Sequence, residues 1–158
     1  MIDKKLGHFL QPPLTGIARM LQRIGVTADW LTLAGFVIGL FSILALATHQ
    51  NYVALACLLA SRLFDGLDGA LARLIEPTDQ GAFLDISFDF IFYSGFVLAA
   101  AFAQPTNALF CAFLIFSFVA NGTAFLAFSV FVERYKISAD VLKSKSMYFL
   151  GGLAEGFE

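Results

Sequence analysis

The chain has 158 residues, 59% hydrophobic and 14% charged, with a formal net charge of -2 at pH 7 and a mean hydropathy of +0.79. That balance lies well above that of a water-soluble domain and offers no basic excess to displace counterions from nucleic-acid phosphates, so a nucleic-acid binder is excluded. Cys57 and Cys111 stand inside apolar runs without a partner motif and read as small buried hydrophobes, not as a disulfide or a metal pair.

In chain order, residues 14–24 come first, with Leu14, Ile17, Leu21 and Ile24 at helical spacing and Arg19 and Arg23 on another face. This is the pattern of a helix lying in a membrane interface. The first long apolar run starts only at Leu31, behind a polar segment, so it does not read as a secretory leader. Four complete spans are expected, over residues 31–48, 52–73, 81–102 and 107–132. Each is long enough to cross a hydrocarbon layer about 30 Å thick. The turns between them, at 49–51, 75–77 and 104–106, are short, which makes neighbouring spans antiparallel.

All ten Lys and Arg fall on one side of this zigzag: Lys4, Lys5, Arg19 and Arg23, then Arg62 and Arg73, then Arg134, Lys136, Lys143 and Lys145. The positive-inside rule predicts that this side, with the N-terminus, faces the cytoplasm. A fifth apolar stretch begins at Met147 and reaches Glu158 after about 18 Å of possible helix, too little to span. The chain is therefore expected to stop inside an element. The expected fold is all-α: a polytopic transmembrane bundle of four spans and the start of a fifth, in one domain over residues 1–158, with an N-terminal interfacial helix.

The segment from Phe64 to Arg73 and the one from Gly81 to Asp89 place four aspartates in membrane-embedded helix, where an uncompensated charge costs several kcal/mol. Asp65 and Asp68 are three apart and Asp85 and Asp89 four apart, so each pair projects from one helix face. Counted from the intervening loop, the pairs lie at matching depths and are expected to face each other across two antiparallel helices. A structural ion network with Arg62 and Arg73 is the plain alternative, but two guanidinium groups do not neutralise four carboxylates. Hard divalent cations do, and a pair of Mg²⁺ or Mn²⁺ ions suits phosphoryl transfer. Gly66, Gly69 and Gly81 clear side chains from beside the aspartates, and Arg73 stands where a diphosphate oxygen would be held.

Asp65-x2-Asp68-Gly69-x2-Ala72-Arg73, followed by Gly81-x3-Asp85-x3-Asp89, resembles the signature of the CDP-alcohol phosphotransferase family. The loop from Leu74 to Gln80 is one residue shorter than is usual there, a change that leaves both helical halves of the motif intact. The resemblance implies metal ligation by Asp65, Asp68 and Asp85, and for Asp89 the role of general base with a further contact to metal. It implies contacts of Gly69 and Arg73 with the CDP portion, joined by Thr78. Ala28-Asp29-Trp30-Leu31-Thr32 is similar to the family's Pro-Asn-x-Leu-Thr, with Asp29 in place of Asn, which adds Asp29 and Thr32. The donor site so expected comprises Gly66, Gly69, Ala72, Arg73, Thr78, Gly81, Asp29 and Thr32.

The implied activity is transfer of a phosphoalcohol, expected to be phosphatidyl from CDP-diacylglycerol, to an acceptor hydroxyl with release of CMP in phospholipid biosynthesis. The implied setting is a bacterial inner membrane, and a homodimer is the expected assembly. The family has six helices, of which this chain is expected to hold four and the start of a fifth. An intramembrane prenyltransferase, a divalent-cation transporter and an inactive truncated relative are the competing readings. The first would want Asp-x3-Asp motifs on two hairpins, and the second midplane carboxylates on broken helices.

His8 and His49 are lone histidines without ligand spacing, read as interface and loop positions. Gly35, Gly39, Gly95 and Gly122 read as helix-packing positions. Lys143 and Lys145 suit a turn near anionic headgroups or an anionic acceptor, and Glu155 is an intramembrane carboxylate or a frayed end.

Overall fold

The computed structural model describes residues 2–75 and 78–135. Lys136, Lys143, Lys145, Glu155 and the apolar stretch from Met147 lie outside the described residues, as do Glu76 and Pro77. The chain forms two compact units, Met1–Ile115 and Phe116–Glu158. Among the described residues there are five α-helices and no strand: α1 (Ile2–Arg23), α2 (Ala28–Ala47), α3 (Asn51–Ile75), α4 (Asp79–Ala103) and α5 (Ala108–Arg134), with a 3₁₀ turn at Pro105–Asn107.

Local chemistry sets where these helices begin and end. Thr27 and Thr78, both in extended backbone, cap α2 and α4 by accepting from the amides of Trp30 and Gly81, and Asp29 and Asp79 place negative charge in the first turns. At the other end α1 closes with Gly25 at φ 80°, the Gly25 amide donating to Gln22 O and the Val26 amide to Leu21 O. This is the doubly hydrogen-bonded left-handed cap. α2 ends the same way, with His49 at φ 63°, its amide on Leu46 O and that of Gln50 on Ala45 O. His49 is thus a loop residue shaped by a helix cap.

Two expectations about the elements are corrected. The N-terminal helix does not begin at Leu14 but continues back through Pro12 and Pro13 to Ile2, despite the backbone donors those prolines lack. Its inward face carries Leu14, Ala18 and Leu21, while Ile17 and Ile24 point outward. The count of membrane spans also changes. Three helical segments are long and apolar enough to cross a membrane, Ala28–Ala47, Asp79–Ala103 and Pro105–Val132. α3 has the length, at 25 residues, but every stretch of it long enough to span carries at least three of Arg62, Asp65, Asp68 and Arg73. Its charge belongs to the site and not to a lipid-facing surface.

Within the first unit α2 is the central element, packed against both α3 and α4, while α1 packs on α3. Gly35 and Gly39 make this approach possible: a Cβ on Gly35 would stand 3.0 Å from Phe64 Cβ, and one on Gly39 2.8 Å from the Phe92 ring. Ser61 donates to Gly35 O at 2.8 Å and Ser42 to Ala54 O at 2.7 Å, so both buried hydroxyls tie α2 to α3. Phe36 and Phe88 stack at 4.0 Å and join α2 to α4.

The aspartate pairs are expected to face each other across antiparallel α3 and α4, but the two helices do not pack directly. No pair of their described residues comes within 8 Å, Cα to Cα. Carboxylates on both facing surfaces leave no apolar ridge for helix packing, so the two helices hang on α2 with a cleft between them. Outward, Phe41, Leu44, Phe102, Phe110 and Phe113 are exposed, an apolar surface that requires lipid, since in water it would cost about 25 cal/mol per Å².

Candidate functional site

The cleft between α3 and α4 holds the four aspartates. Asp65 and Asp68 share a face of α3 because they are three residues apart, and Asp85 and Asp89 share a face of α4 at four. Asp65, Asp68 and Asp85 converge so that one carboxylate oxygen of each lies within 4.8 Å of the others. Asp68 is buried, Asp65 partly so and Asp85 exposed, which grades the trio from α2 out to the cleft mouth. Thr32 of α2 donates its hydroxyl proton to Asp68 Oδ2 and fixes that carboxylate.

Asp89 stands apart from this trio. Its Oδ1 accepts from Arg62 Nη1 at 3.1 Å and its Oδ2 from the Tyr93 hydroxyl at 3.4 Å. The same Nη1 lies 3.6 Å from Asp65 Oδ2 and donates to Tyr93 Oη at 3.2 Å. Arg62 therefore bridges α3 and α4 across the cleft. Its guanidinium carbon lies 4.9 Å over the Phe92 ring and 5.5 Å from that of Tyr93, an arrangement that favours a cation.

Charge does not balance. Among the described residues, no Lys or Arg forms an ion pair with Asp68 or Asp85, and Arg62 is the one cation set against four carboxylates. An all-oxygen donor set with surplus negative charge is what a hard divalent ion takes. The space lined by Thr32, Arg62 and the aspartates is about 20 Å³ and continues past Asp68 and Asp85 into a larger cavity, so the carboxylates border room for ion-sized guests. The residues present therefore fit such an ion.

From this cleft a second cavity of about 400 Å³ opens toward the N-termini of α2 and α4, and the two share Thr32, Asp68 and Asp85. Its walls include six of the residues expected at a donor site: Asp29, Thr32, Gly69, Ala72, Thr78 and Gly81. The volume lies within the range of small-ligand sites. Gly81 lets the two helix starts meet, since a Cβ there would stand 3.0 Å from Thr78 Oγ1 and 3.1 Å from Asp29 Oδ1. The other two expected donor residues stand outside the walls. Arg73 folds back along α3, its Nη1 3.4 Å from where a Gly69 Cβ would be, and Gly66 faces Leu14 of α1, whose Cδ1 would lie 3.3 Å from an added Cβ.

Sequence reasoning had not singled out Tyr93 or Phe92. The available signal was spacing: Tyr93 is four residues beyond Asp89, one turn along the same face. Arg62, three before Asp65, enters the sequence reading as a charge on the basic side and as a structural counter-ion, and its reach to Asp89 is a tertiary fact that spacing does not carry.

The sequence profile described as CDP-alcohol phosphatidyltransferase matches residues 25–154. The chain is 45% identical over 162 aligned positions to the inner membrane protein YnjF of Escherichia coli, covering 100% of this chain and 77% of that one. It is 40% identical over 69 residues to an archaetidylinositol phosphate synthase of Methanothermobacter thermautotrophicus, covering 43% of this chain and 35% of the synthase. To the archaetidylinositol phosphate synthase of Pyrococcus horikoshii it is 33% identical over 86 residues, 54% of this chain and 46% of that protein. No solved structure matches the chain. With the profile running through nearly the whole sequence, and the aspartates of the family's motif gathered at one cleft, the chain belongs to the CDP-alcohol phosphatidyltransferase family.

Proposed function

We propose that this protein transfers a phosphatidyl group from CDP-diacylglycerol to the hydroxyl of a small polar acceptor, releasing CMP, with the reaction centred on the cleft between α3 and α4. The observation that carries this reading is the convergence of Asp65, Asp68 and Asp85 where the aspartate cleft meets the 400 Å³ cavity through Asp68 and Asp85, with Asp89 held beside them and outside the trio. Asp65, Asp68 and Asp85 would hold divalent ions, taken to be two Mg²⁺ or Mn²⁺. When bound, these supply positive charge against the phosphate oxygens and against the charge that develops on the leaving CMP.

The protein's own groups do the rest. The cavity at the N-termini of α2 and α4 seats the nucleotide, with backbone amides of both first turns turned toward anionic oxygen and Thr32, Gly69 and Gly81 leaving room for the ligand. Arg73, one turn along α3 from Gly69, unfolds from its present position to meet a diphosphate oxygen. Asp89 takes the proton of the acceptor hydroxyl, and that oxygen bonds to the β-phosphorus. The bond from the β-phosphorus to the bridging oxygen breaks, and CMP departs with that oxygen and its electron pair. Asp89 is oriented for this by Arg62 on one oxygen and Tyr93 on the other, which leaves lone pairs free on both. The basic residues on this side support a cytoplasmic orientation of the cleft by the positive-inside rule, and the assembly proposed is a homodimer.

The test is direct. Protein in lipid nanodiscs is given CDP-diacylglycerol, Mn²⁺ and a panel of acceptors that includes inositol phosphates, glycerol phosphate and serine, with CMP and lipid products measured. CMP release that requires both metal and one acceptor is expected. Metal-dependent CMP release without any acceptor would mark a hydrolase instead. Arg73→Ala should raise the donor KM about tenfold while Mn²⁺ binding stays within about twofold, since Arg73 supplies a diphosphate contact and no metal ligand. Unchanged donor kinetics would remove Arg73 from the site.

A further inference from the structure

We infer that Arg62 is a positioning residue which divides the four carboxylates into a metal-holding trio and a separate base, and serves as the cleft's own counter-ion when no metal is bound. Neither Arg62 nor Tyr93 is part of the Asp-Gly-Ala-Arg motif. Arg62 nevertheless makes each ion pair recorded among the described residues, both to site aspartates, at 3.1 Å to Asp89 and 3.6 Å to Asp65. Its guanidinium is held from several directions: by the Tyr93 hydroxyl at 3.2 Å, by the Phe92 face at 4.9 Å and by the two carboxylates. The Nε is buried and has no hydrogen-bond partner among the described residues, so charge pairing and ring stacking hold this side chain.

Two consequences follow from that placement. Asp89 is drawn along α4 toward Arg62 and Tyr93, and is absent from the group whose oxygens converge within 4.8 Å. Without the guanidinium, the Tyr93 hydroxyl on Oδ2 is what remains to set Asp89 apart from the other three. The second consequence concerns the metal-free protein. Four carboxylates facing one another across a cleft between helices with no described Cα pair within 8 Å repel, and among the described residues Arg62 ties α3 to α4 there through its pairs with Asp65 and Asp89. A bound divalent ion performs the same neutralisation, so ion and guanidinium compete electrostatically for Asp65.

The effect on turnover rests on the transferase reading above, whereas the effects on metal binding and stability do not. The experiment compares wild type, Arg62→Gln, Arg62→Lys and Tyr93→Phe in nanodiscs by Mn²⁺ titration, by thermal unfolding with and without chelator, and by steady-state CMP release. Arg62→Gln should bind Mn²⁺ about threefold to tenfold more tightly, because a positive charge beside a ligand is gone. It should unfold at a lower temperature than wild type in chelator, and Mn²⁺ should restore most of the difference. Its kcat should fall on the order of 10²-fold with the donor KM within about twofold. Arg62→Lys should recover part of kcat, since it keeps the charge but loses the planar fork.

Tyr93→Phe removes one hydroxyl and folds readily, so it keeps the test alive if Arg62→Gln does not fold. Its kcat should drop by about threefold to tenfold with Mn²⁺ binding unchanged. Weaker or unchanged Mn²⁺ binding in Arg62→Gln, equal stability in chelator, or an unaltered kcat in both Arg62→Gln and Tyr93→Phe would each overturn the assignment. If wild type turns over no acceptor at all, the transferase reading fails, and the binding and unfolding measurements still decide the role of Arg62.

Discussion

Asp85→Asn is expected to weaken Mn²⁺ binding by 10² to 10³-fold, on the order of the Coulomb energy of one carboxylate with a cation at contact distance near a protein surface, and to abolish CMP release. Asp85 is the cleanest of the three converging aspartates to change. Asp68 accepts from Thr32 and Asp65 lies beside Arg62, so replacing either disturbs a second interaction. Asp85 is exposed at the cleft mouth and makes no hydrogen bond or ion pair among the described residues, so asparagine there removes one negative charge and little else. Isothermal titration or Mn²⁺ paramagnetic resonance on wild type and variant reads the effect, and circular dichroism checks that the helices persist. Mn²⁺ binding at wild-type affinity in Asp85→Asn would mean that the convergence of these oxygens is not a metal site.

Why the trio was foreseeable and the Arg62 bridge was not is a matter of range. Helix periodicity is local, so spacings of three and four residues were enough to put Asp65 with Asp68 and Asp85 with Asp89, and the short loop between Arg73 and Gly81 brought the pairs to one depth. The N-termini of α2 and α4 are written just as locally, in a threonine cap and an acidic first turn, although the spans were expected to start at residues 31 and 81. What spacing does not encode is the distance between two helices. The expectation of antiparallel packing put the aspartates on the facing surfaces of α3 and α4 but not the gap that their charge leaves, while α2 meets both helices at the small residues Gly35 and Gly39. The extra room this leaves is what a guanidinium fills. The extent of α1 was missed for a related reason: two consecutive prolines weigh against a helix locally, yet the segment continues through them and packs Leu14, Ala18 and Leu21 against the core at α3.

Asp89→Asn is expected to lower kcat by 10² to 10⁴-fold, the range for loss of a general base, while Mn²⁺ affinity stays within about threefold of wild type. The geometry makes this contrast with Asp85→Asn sharp. Asparagine at 89 keeps an oxygen that accepts from Arg62 Nη1, now 3.1 Å away, so the side chain stays in place, but it has no lone pair basic enough to take the acceptor's proton. The ligand trio is untouched, because Asp89 is not one of the converging carboxylates. A base acting only on the acceptor also leaves donor affinity alone, so the donor KM should hold while kcat collapses. Three measurements on each variant separate the roles: Mn²⁺ affinity, donor KM and kcat for CMP release. If Asp89→Asn loses Mn²⁺ as severely as Asp85→Asn does, then Asp89 is a fourth ligand and the division of labour in the cleft is wrong. If it instead releases CMP at a rate near wild type, another group takes the proton, and since Tyr93 and Arg62 are the side chains that hydrogen-bond to Asp89 among the described residues, the hydroxyl of Tyr93 becomes the next to test.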